Sequence, residues 1–381
     1  MNIDFVCPIC GNKDKKFIGY LNGKPYCRRC IEFCGENYEN EFYEIKNHEA
    51  QLSYKLSEDQ KKISEKIVES YKSNKNTLVY AVCGAGKTEL IFSVIEYALS
   101  KNQKVGFAIP RRDVVIELHK RLSAVFKANV VTCIYGGHTN KLSGEITILT
   151  THQLYRFEGA FDLLILDEID AFPFKNNEVL NAIFKRSIKG KYVMMSATPS
   201  EKIIEEFKKH NDTILTLFKR YHKHPLPVPK IIIVPILFQI LYIVIMLKKY
   251  RKLSKKTLIF VPTIGDSKNL FNILKFLVKR GNYVNSKSKF RNKIIDDFRN
   301  SKYDYLVTTA ILERGVTLSN LQVIILNADN YQYDKAALIQ ISGRVGRTKE
   351  HPDGEITYIA KQKTEEMVNS IREIKRYNES L

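Results

Sequence analysis

Residues 77–99 read TLVYAVCGAGKTELIFSVIEYAL: an apolar run, a glycine-rich turn and a second run whose apolar positions recur at helical spacing. Strand, tight turn and helix in that order present backbone N–H groups and a helix N-terminus to an anion, which is what a bound phosphate needs. Gly84, Ala85, Gly86, Lys87, Thr88 and Glu89 then form the cradle. In such a loop the Lys87 ammonium reaches the β- and γ-phosphates and the Thr88 hydroxyl holds Mg²⁺. Ala81 stands where the general GxxxxGK[ST] pattern has its first glycine.

Working outward, further apolar runs each end in a chemically marked turn: VGFAI in PRR, ITIL in TTHQL, FDLLIL in Asp167-Glu168-Ile169-Asp170, and YVMM in SATPS. Repeated strand-then-helix units with short loops predict a doubly wound parallel sheet, whose ligands bind at the C-terminal ends of the strands. Asp167 is placed there to hold Mg²⁺ through water, and Glu168 to polarise an attacking water. A second series begins at KTLIFVPT and continues through SKNLFNILKFLVKRG, YLVTTA and VIILNAD to QISGRVGR, with no phosphate loop of its own. Arg344 and Arg347 lie three apart, so on a helical turn they project to one side, with Gln340 one turn earlier. A lobe offering two arginines and no loop is expected to act as a lid on the first lobe's triphosphate.

Cys7 and Cys10 are followed, after sixteen intervening residues, by Cys27 and Cys30, a spacing suited to a four-thiolate zinc site. So short a segment buries too little apolar surface to fold alone, and bound metal supplies the difference. Cys34 reads as a spare thiol. Lys and Arg (61) exceed Asp and Glu (41), giving a formal charge of +20 that suits nucleic acid or an anionic membrane surface and does not choose between them. At 44% hydrophobic and 27% charged residues, the composition is that of a folded globular chain rather than a disordered one. The opening MNIDFVCPIC lacks a basic segment followed by an apolar run, so no cleaved signal peptide is expected and a reducing cytoplasm is the expected setting.

AxxGAGKT, IPRR, TTHQL, DEID and SATP, in this order, resemble motifs I, Ia, Ib, II and III of superfamily 2 helicases, with TTAILERGVTL resembling motif V and QISGRVGR motif VI. The resemblance implies an α/β fold of two RecA-like doubly wound parallel-sheet lobes carrying a small N-terminal four-cysteine zinc module. It also implies that Ser196 and Thr198 couple ATP state to lobe movement, and that Glu313, Arg314 and Gly315 link nucleotide to nucleic acid. Gln60, 27 residues ahead of Lys87, is placed like the adenine-reading glutamine of related motors; a solvated helix position is its alternative. Arg111, Arg112, Thr151, His152 and Thr309 are expected to hold phosphates of a nucleic acid, with plain solvated charge as the other reading of the arginines and the histidine.

The four cysteines ahead of the motor region, joined to ILERGVT and AALIQISGRVGR, resemble one family more narrowly: ComFA, the late-competence ATPases of Gram-positive-type bacteria. That resemblance implies a DNA-stimulated ATPase driving uptake of transforming DNA, requiring ATP, Mg²⁺ and Zn²⁺, binding single-stranded DNA, and working with ComEC, ComFC and DprA at the inner face of the membrane. A PriA-like replication-restart helicase and a zinc-dependent nucleotide-gated adaptor stay open as alternatives.

Domain limits are expected at 1–48 for the zinc module, 49–220 for the first lobe, 221–256 for an interlobe linker and 257–381 for the second lobe. Within that linker, residues 231–247 are apolar apart from Gln239, broken by Pro235 and followed by KKYRKLSKK. A buried strand and helix, a peripheral membrane contact and a short membrane span are three readings of it. The first is preferred, because a span would put the lobes, which must share one ATP, on opposite faces of a bilayer.

Overall fold

The computed structural model describes residues 5–33, 38, 45, 48–52, 55–139, 141–312 and 318–379. The chain divides into two compact units, one formed by Met1–Ala81 with Gly86–Leu217 and the other by Val82–Ala85 with Phe218–Leu381.

In the first unit a small hairpin, β1 (Ile18–Leu21) and β2 (Lys24–Cys27), precedes helix α1 (Glu58–Lys72). There follow β3 (Thr77–Ala81), α2 (Lys87–Leu90), α3 (Phe92–Ser100), β4 (Val105–Ile109), α4 (Arg112–Val125), β5 (Val131–Ile134) and β6 (Ile146–Thr150). The unit closes with β7 (Phe161–Asp167), α5 (Glu178–Ser187), β8 (Ile188–Ser196), α6 (Glu201–Lys209) and β9 (Thr213–Leu217). β3 to β9 make one sheet in the order β5-β6-β4-β7-β8-β3-β9, parallel at every pairing. Helices cover both faces of such a sheet, which is why VGFAI and ITILT are buried at every position instead of alternating. Register places Asp167 opposite Met195 and Ser196 opposite Tyr80, so β7, β8 and β3 deliver their chemistry to one edge.

The second unit runs β10 (Lys230–Ile233), α7 (Ile236–Lys252), β11 (Lys256–Phe260), α8 (Ile264–Leu277), β12 (Gly281–Val284), α9 (Arg291–Arg299) and β13 (Tyr305–Thr308). It ends with β14 (Leu321–Leu326), α10 (Lys335–Ser342), β15 (Ile356–Ala360) and α11 (Glu365–Asn378). Its sheet has the order β10-β15-β14-β11-β13-β12, again wholly parallel. Strands β12 and β15 go beyond the strands read from sequence, while β10 falls at the start of the apolar stretch whose preferred reading is a buried strand and helix; β12 is formed by GNYV and α9 by RNKIIDDFR.

The apolar stretch before the second lobe is split by Pro235, which caps α7 and cannot extend β10 into it. β10 adds a strand at the sheet edge beside β15, while α7 buries Ile243, Val244, Met246, Leu247 and Tyr250 against the sheet. Each such burial stabilises by about 1.5–3 kcal/mol. Gln239 is buried too, its amide donating to the Val234 carbonyl at 3.2 Å. The helix has 17 residues, and among the described residues no helix is long and apolar enough to cross a membrane.

Candidate nucleotide site and metal centre

β3 leads directly into the loop, where Gly84 and Gly86 take φ of +86° and +77°, a region closed to most side chains. A Cβ on Gly86 would also collide with the amide nitrogen of Gln60. Gln60 is buried against the loop while its Oε1 accepts the Ser57 N–H at 3.0 Å, closing the capping box of α1. The glutamine thus fastens the N-terminus of α1 and lies beside the phosphate loop. Lys87 and Thr88 open α2, both half-buried, whereas Glu89 is buried and paired with Arg121. That ion pair ties the phosphate-loop helix to α4.

Asp167 ends β7, and Glu168 after it has φ +57°, a left-handed turn stitched by its own N–H donating to Asp167 Oδ1 at 2.8 Å. Burial holds the Asp167 carboxyl above the usual carboxylate range, the Lys87 ammonium opposes this, and the charges of Glu168 and Asp170 add to it. A desolvated carboxylate beside a phosphate loop suits a divalent cation, which would supply the missing positive charge. Asp170 accepts from Ser196 Oγ at 2.8 Å and Thr198 Oγ1 at 2.7 Å, and Thr198 N–H donates to Ser196 Oγ at 2.9 Å. The SATP turn is therefore tied by two hydrogen bonds to the acidic turn and braced by a third within itself, a physical link between the two that spacing alone did not predict.

In the second unit α10 ends at Ser342, and the arginine turn follows. Arg344 is buried; Arg347 is half-buried, its Nε donating to the Gly343 carbonyl at 3.0 Å. Gln340 is buried and accepts the Cys83 thiol at 2.8 Å, one of the contacts that group Val82–Ala85 with this unit. Arg220, absent from the sequence-based site, is with Arg344 one of the two largest fully buried side chains among the described residues and grips the same turn. Glu313, Arg314 and Gly315, with Cys34, lie outside the described residues.

The four N-terminal cysteines are thiols, not disulfides. A tetrahedral ion with metal–sulfur bonds of about 2.3 Å sets its sulfurs about 3.8 Å apart. Cys7 Sγ lies 3.8 Å from Cys30 Sγ, Cys10 Sγ lies 3.8 Å from Cys27 Sγ, and all four sulfurs fall within 4.8 Å of one another. Burial would raise the Cys7 thiol, but backbone N–H groups of Cys10 and Ile9 hold it below its ordinary value, whereas burial pushes the Cys10 and Cys30 thiols up, so all four become thiolates together only with a bound cation to offset the charge. The cluster is close enough for a metal site. It packs on the first unit's core: Phe33 stacks on His152 with centroids 6.0 Å apart, and Arg29 pairs with Glu178 at 2.8 Å.

Among the residues expected to touch nucleic acid, Arg111 caps α4 and Arg112 begins it, the latter exposed with its guanidinium 4.7 Å from the Tyr135 ring centroid. His152 is half-buried under Phe33. Thr151 is wholly buried at the start of a tight turn. Thr309 is only 9% exposed, at the end of β13.

With this geometry in place, two family profiles match the chain: "Type III restriction enzyme, res subunit" over residues 53–201 and "Helicase conserved C-terminal domain" over 238–349. S. cerevisiae Dbp5 bound to RNA and ADP BeF3 is similar in structure, with a TM-score of 0.65 at 17% identity, covering 86% of this chain and 92% of that one. At that identity the likeness speaks for the fold, two RecA-like parallel-sheet lobes. Competence protein ComFA of Bacillus subtilis is 32% identical over 401 residues, covering 98% of this chain and 85% of that protein. ComFA of Streptococcus pneumoniae is 32% identical over 373 residues, covering 93% and 86%. Identity at that level across both lobes and the cysteine module places the chain in the ComFA family, competence-related helicase-like ATPases of superfamily 2.

Proposed function

We propose that this chain is an ATP-driven motor that moves along single-stranded DNA and helps draw transforming DNA into the cell. The observation carrying this reading is the pairing of the Lys87 loop with Asp167 and Glu168 at one sheet edge, in a chain whose second series has no such loop in its sequence and instead follows α10 with Arg344 and Arg347. Lys87 and Thr88 then bind the triphosphate and Mg²⁺, Asp167 orients the ion, Glu168 polarises water, and the two arginines meet the transferring phosphoryl. Gln60 and Gln340 serve the nucleotide. Arg111, Arg112, His152 and Thr309 serve the DNA backbone, and the four cysteines hold structural Zn²⁺. ComEC, ComFC and DprA are the partners this reading implies. It is tested by ATP turnover, which is expected to rise with single-stranded DNA.

We also propose peripheral contact with an anionic bilayer. Helices α7 and α8 bury their inner sides in one cluster and leave Leu237, Phe238, Leu241, Ile245, Ile273 and Phe276 exposed. Between residues 236 and 280 there are ten Lys or Arg and one acid, Asp266. Exposed apolar surface rimmed by positive charge matches acidic lipid headgroups over acyl chains better than it matches a polynucleotide, which offers no apolar layer. The protein is expected to float with vesicles containing phosphatidylglycerol and not with phosphatidylcholine alone, and Leu237→Glu with Leu241→Glu is expected to abolish flotation. Equal flotation of that variant, or none by the parent, contradicts the surface.

A further inference from the structure

Arg220 lies in KRYHKH, a run that looks like solvated charge, yet it is 1% exposed. Its Nη1 donates to the carbonyls of Val345 at 2.8 Å and Gly346 at 2.5 Å, its Nη2 to Gly343 at 3.3 Å and its Nε to Cys83 at 3.3 Å. Among the described residues no carboxylate pairs with it. A buried cation without a counter-ion is costly, and burial with the nearby Arg347 charge brings this guanidinium down to about 10.

What offsets that cost is the end of α10. Carbonyls of the turn that follows the helix have no intrahelical donors and lie next to the negative end of its dipole, and a planar guanidinium meets several of them at once. The residues so held, 343, 345 and 346, bracket Arg344 and lead into Arg347. Gly343 O is shared, accepting from Arg220 Nη2 and from Arg347 Nε at 3.0 Å. His222 adds a fourth hold on the turn: its Nε2–H donates to Gly346 O at 3.0 Å, with Nδ1 accepting the His224 N–H at 3.2 Å, which fixes the tautomer. Gly346 itself sits at φ +66°, where a Cβ would strike the Pro352 carbonyl. The turn is therefore clamped from outside its own helix.

Resting on the ATPase reading above, we propose that Arg220, assisted by His222, is a positioning residue for ATP hydrolysis: it fixes the 343–347 turn so that Arg347 is presented to the transferring phosphoryl. A residue that only supports folding would lower stability and leave turnover per folded molecule unchanged.

The test uses the full chain and measures ATP turnover with single-stranded DNA, alongside thermal melting, for the parent, Arg220→Lys, Arg347→Ala and their double variant. Arg220→Lys keeps a cation but loses the fork, and is expected to lower kcat about tenfold with KM for ATP changed less than about threefold. In the Arg347→Ala background the same substitution is expected to cost less than about twofold more, because both act through one group. Parental kcat in folded Arg220→Lys, or losses that multiply in the double variant, overturn the proposal. If Arg220→Lys does not fold, His222→Ala is read instead: a loss in kcat of about threefold supports the clamp and an unchanged kcat overturns it. A parent without turnover sinks the ATPase reading itself, whereas an active parent with unaffected variants sinks only the clamp.

Discussion

Lys87→Ala is expected to lower ATP turnover about 100- to 1,000-fold, the scale seen when one preorganised group facing developing phosphoryl charge is removed. The melting temperature should stay close to the parent's. Lys87 is half-buried at the first position of α2, beside a loop held by Gly84 and Gly86 at positive φ, so alanine fits the helix and leaves the backbone cradle intact. What disappears is the cation that offsets the buried charge of Asp167 and that the proposed function assigns to the β- and γ-phosphates. Phosphate release from the purified variant measures it, and turnover above about a tenth of the parent's would contradict a phosphate role for this loop.

The second large effect concerns metal. Residues 5–33 contain two four-residue strands and short 3-10 turns, too little apolar surface to hold themselves, and structural zinc contributes folding free energy on the order of 10 kcal/mol in such modules. The purified chain is expected to carry about one zinc per molecule, read by elemental analysis, as a single four-thiolate centre requires. Cys10→Ser, or chelation at raised temperature, should remove it and open the segment to protease. Phe33 stacks on His152, so loss of metal should also weaken stimulation of ATP turnover by DNA while leaving DNA-free turnover near the parental rate. A metal-free parent, or a Cys10→Ser variant with full zinc and full stimulation, would contradict the assignment.

How much of this was legible in the sequence follows from how local each constraint is. The phosphate loop, the acidic turn and the cysteine pairs place their partners within a few residues, because one turn or one knuckle must present them together; spacing therefore reveals them. The Asp170–Ser196–Thr198 link spans two strands and was readable only as two motifs, since register decides that they meet. Arg220 was not legible: its carbonyl partners lie 123 to 137 residues away, and a basic run gives no sign that one member is buried. The burial of Thr151 was equally hidden, because the TTH pattern marks the end of β6 but not which side chain the 3-10 turn directs inward.

The apolar stretch shows the same limit. Composition alone fits a core helix, a surface helix and a short span, and what separates them is which positions the sheet covers. Ile243 and Leu247 lie on the buried face of α7 while Leu237 and Ile245 lie on its exposed face, a distinction set by the placement of α7 over the strands rather than by hydrophobicity.

The most direct test of the central claim is ATP turnover by the purified chain with matched single-stranded DNA, duplex DNA and RNA at two salt concentrations. Turnover is expected to rise severalfold with single-stranded DNA. With roughly three to five phosphate contacts, the apparent affinity for that strand should fall about 20- to 100-fold between about 50 and 200 mM salt. Turnover indifferent to every nucleic acid, at either salt concentration, would contradict a motor that moves on DNA.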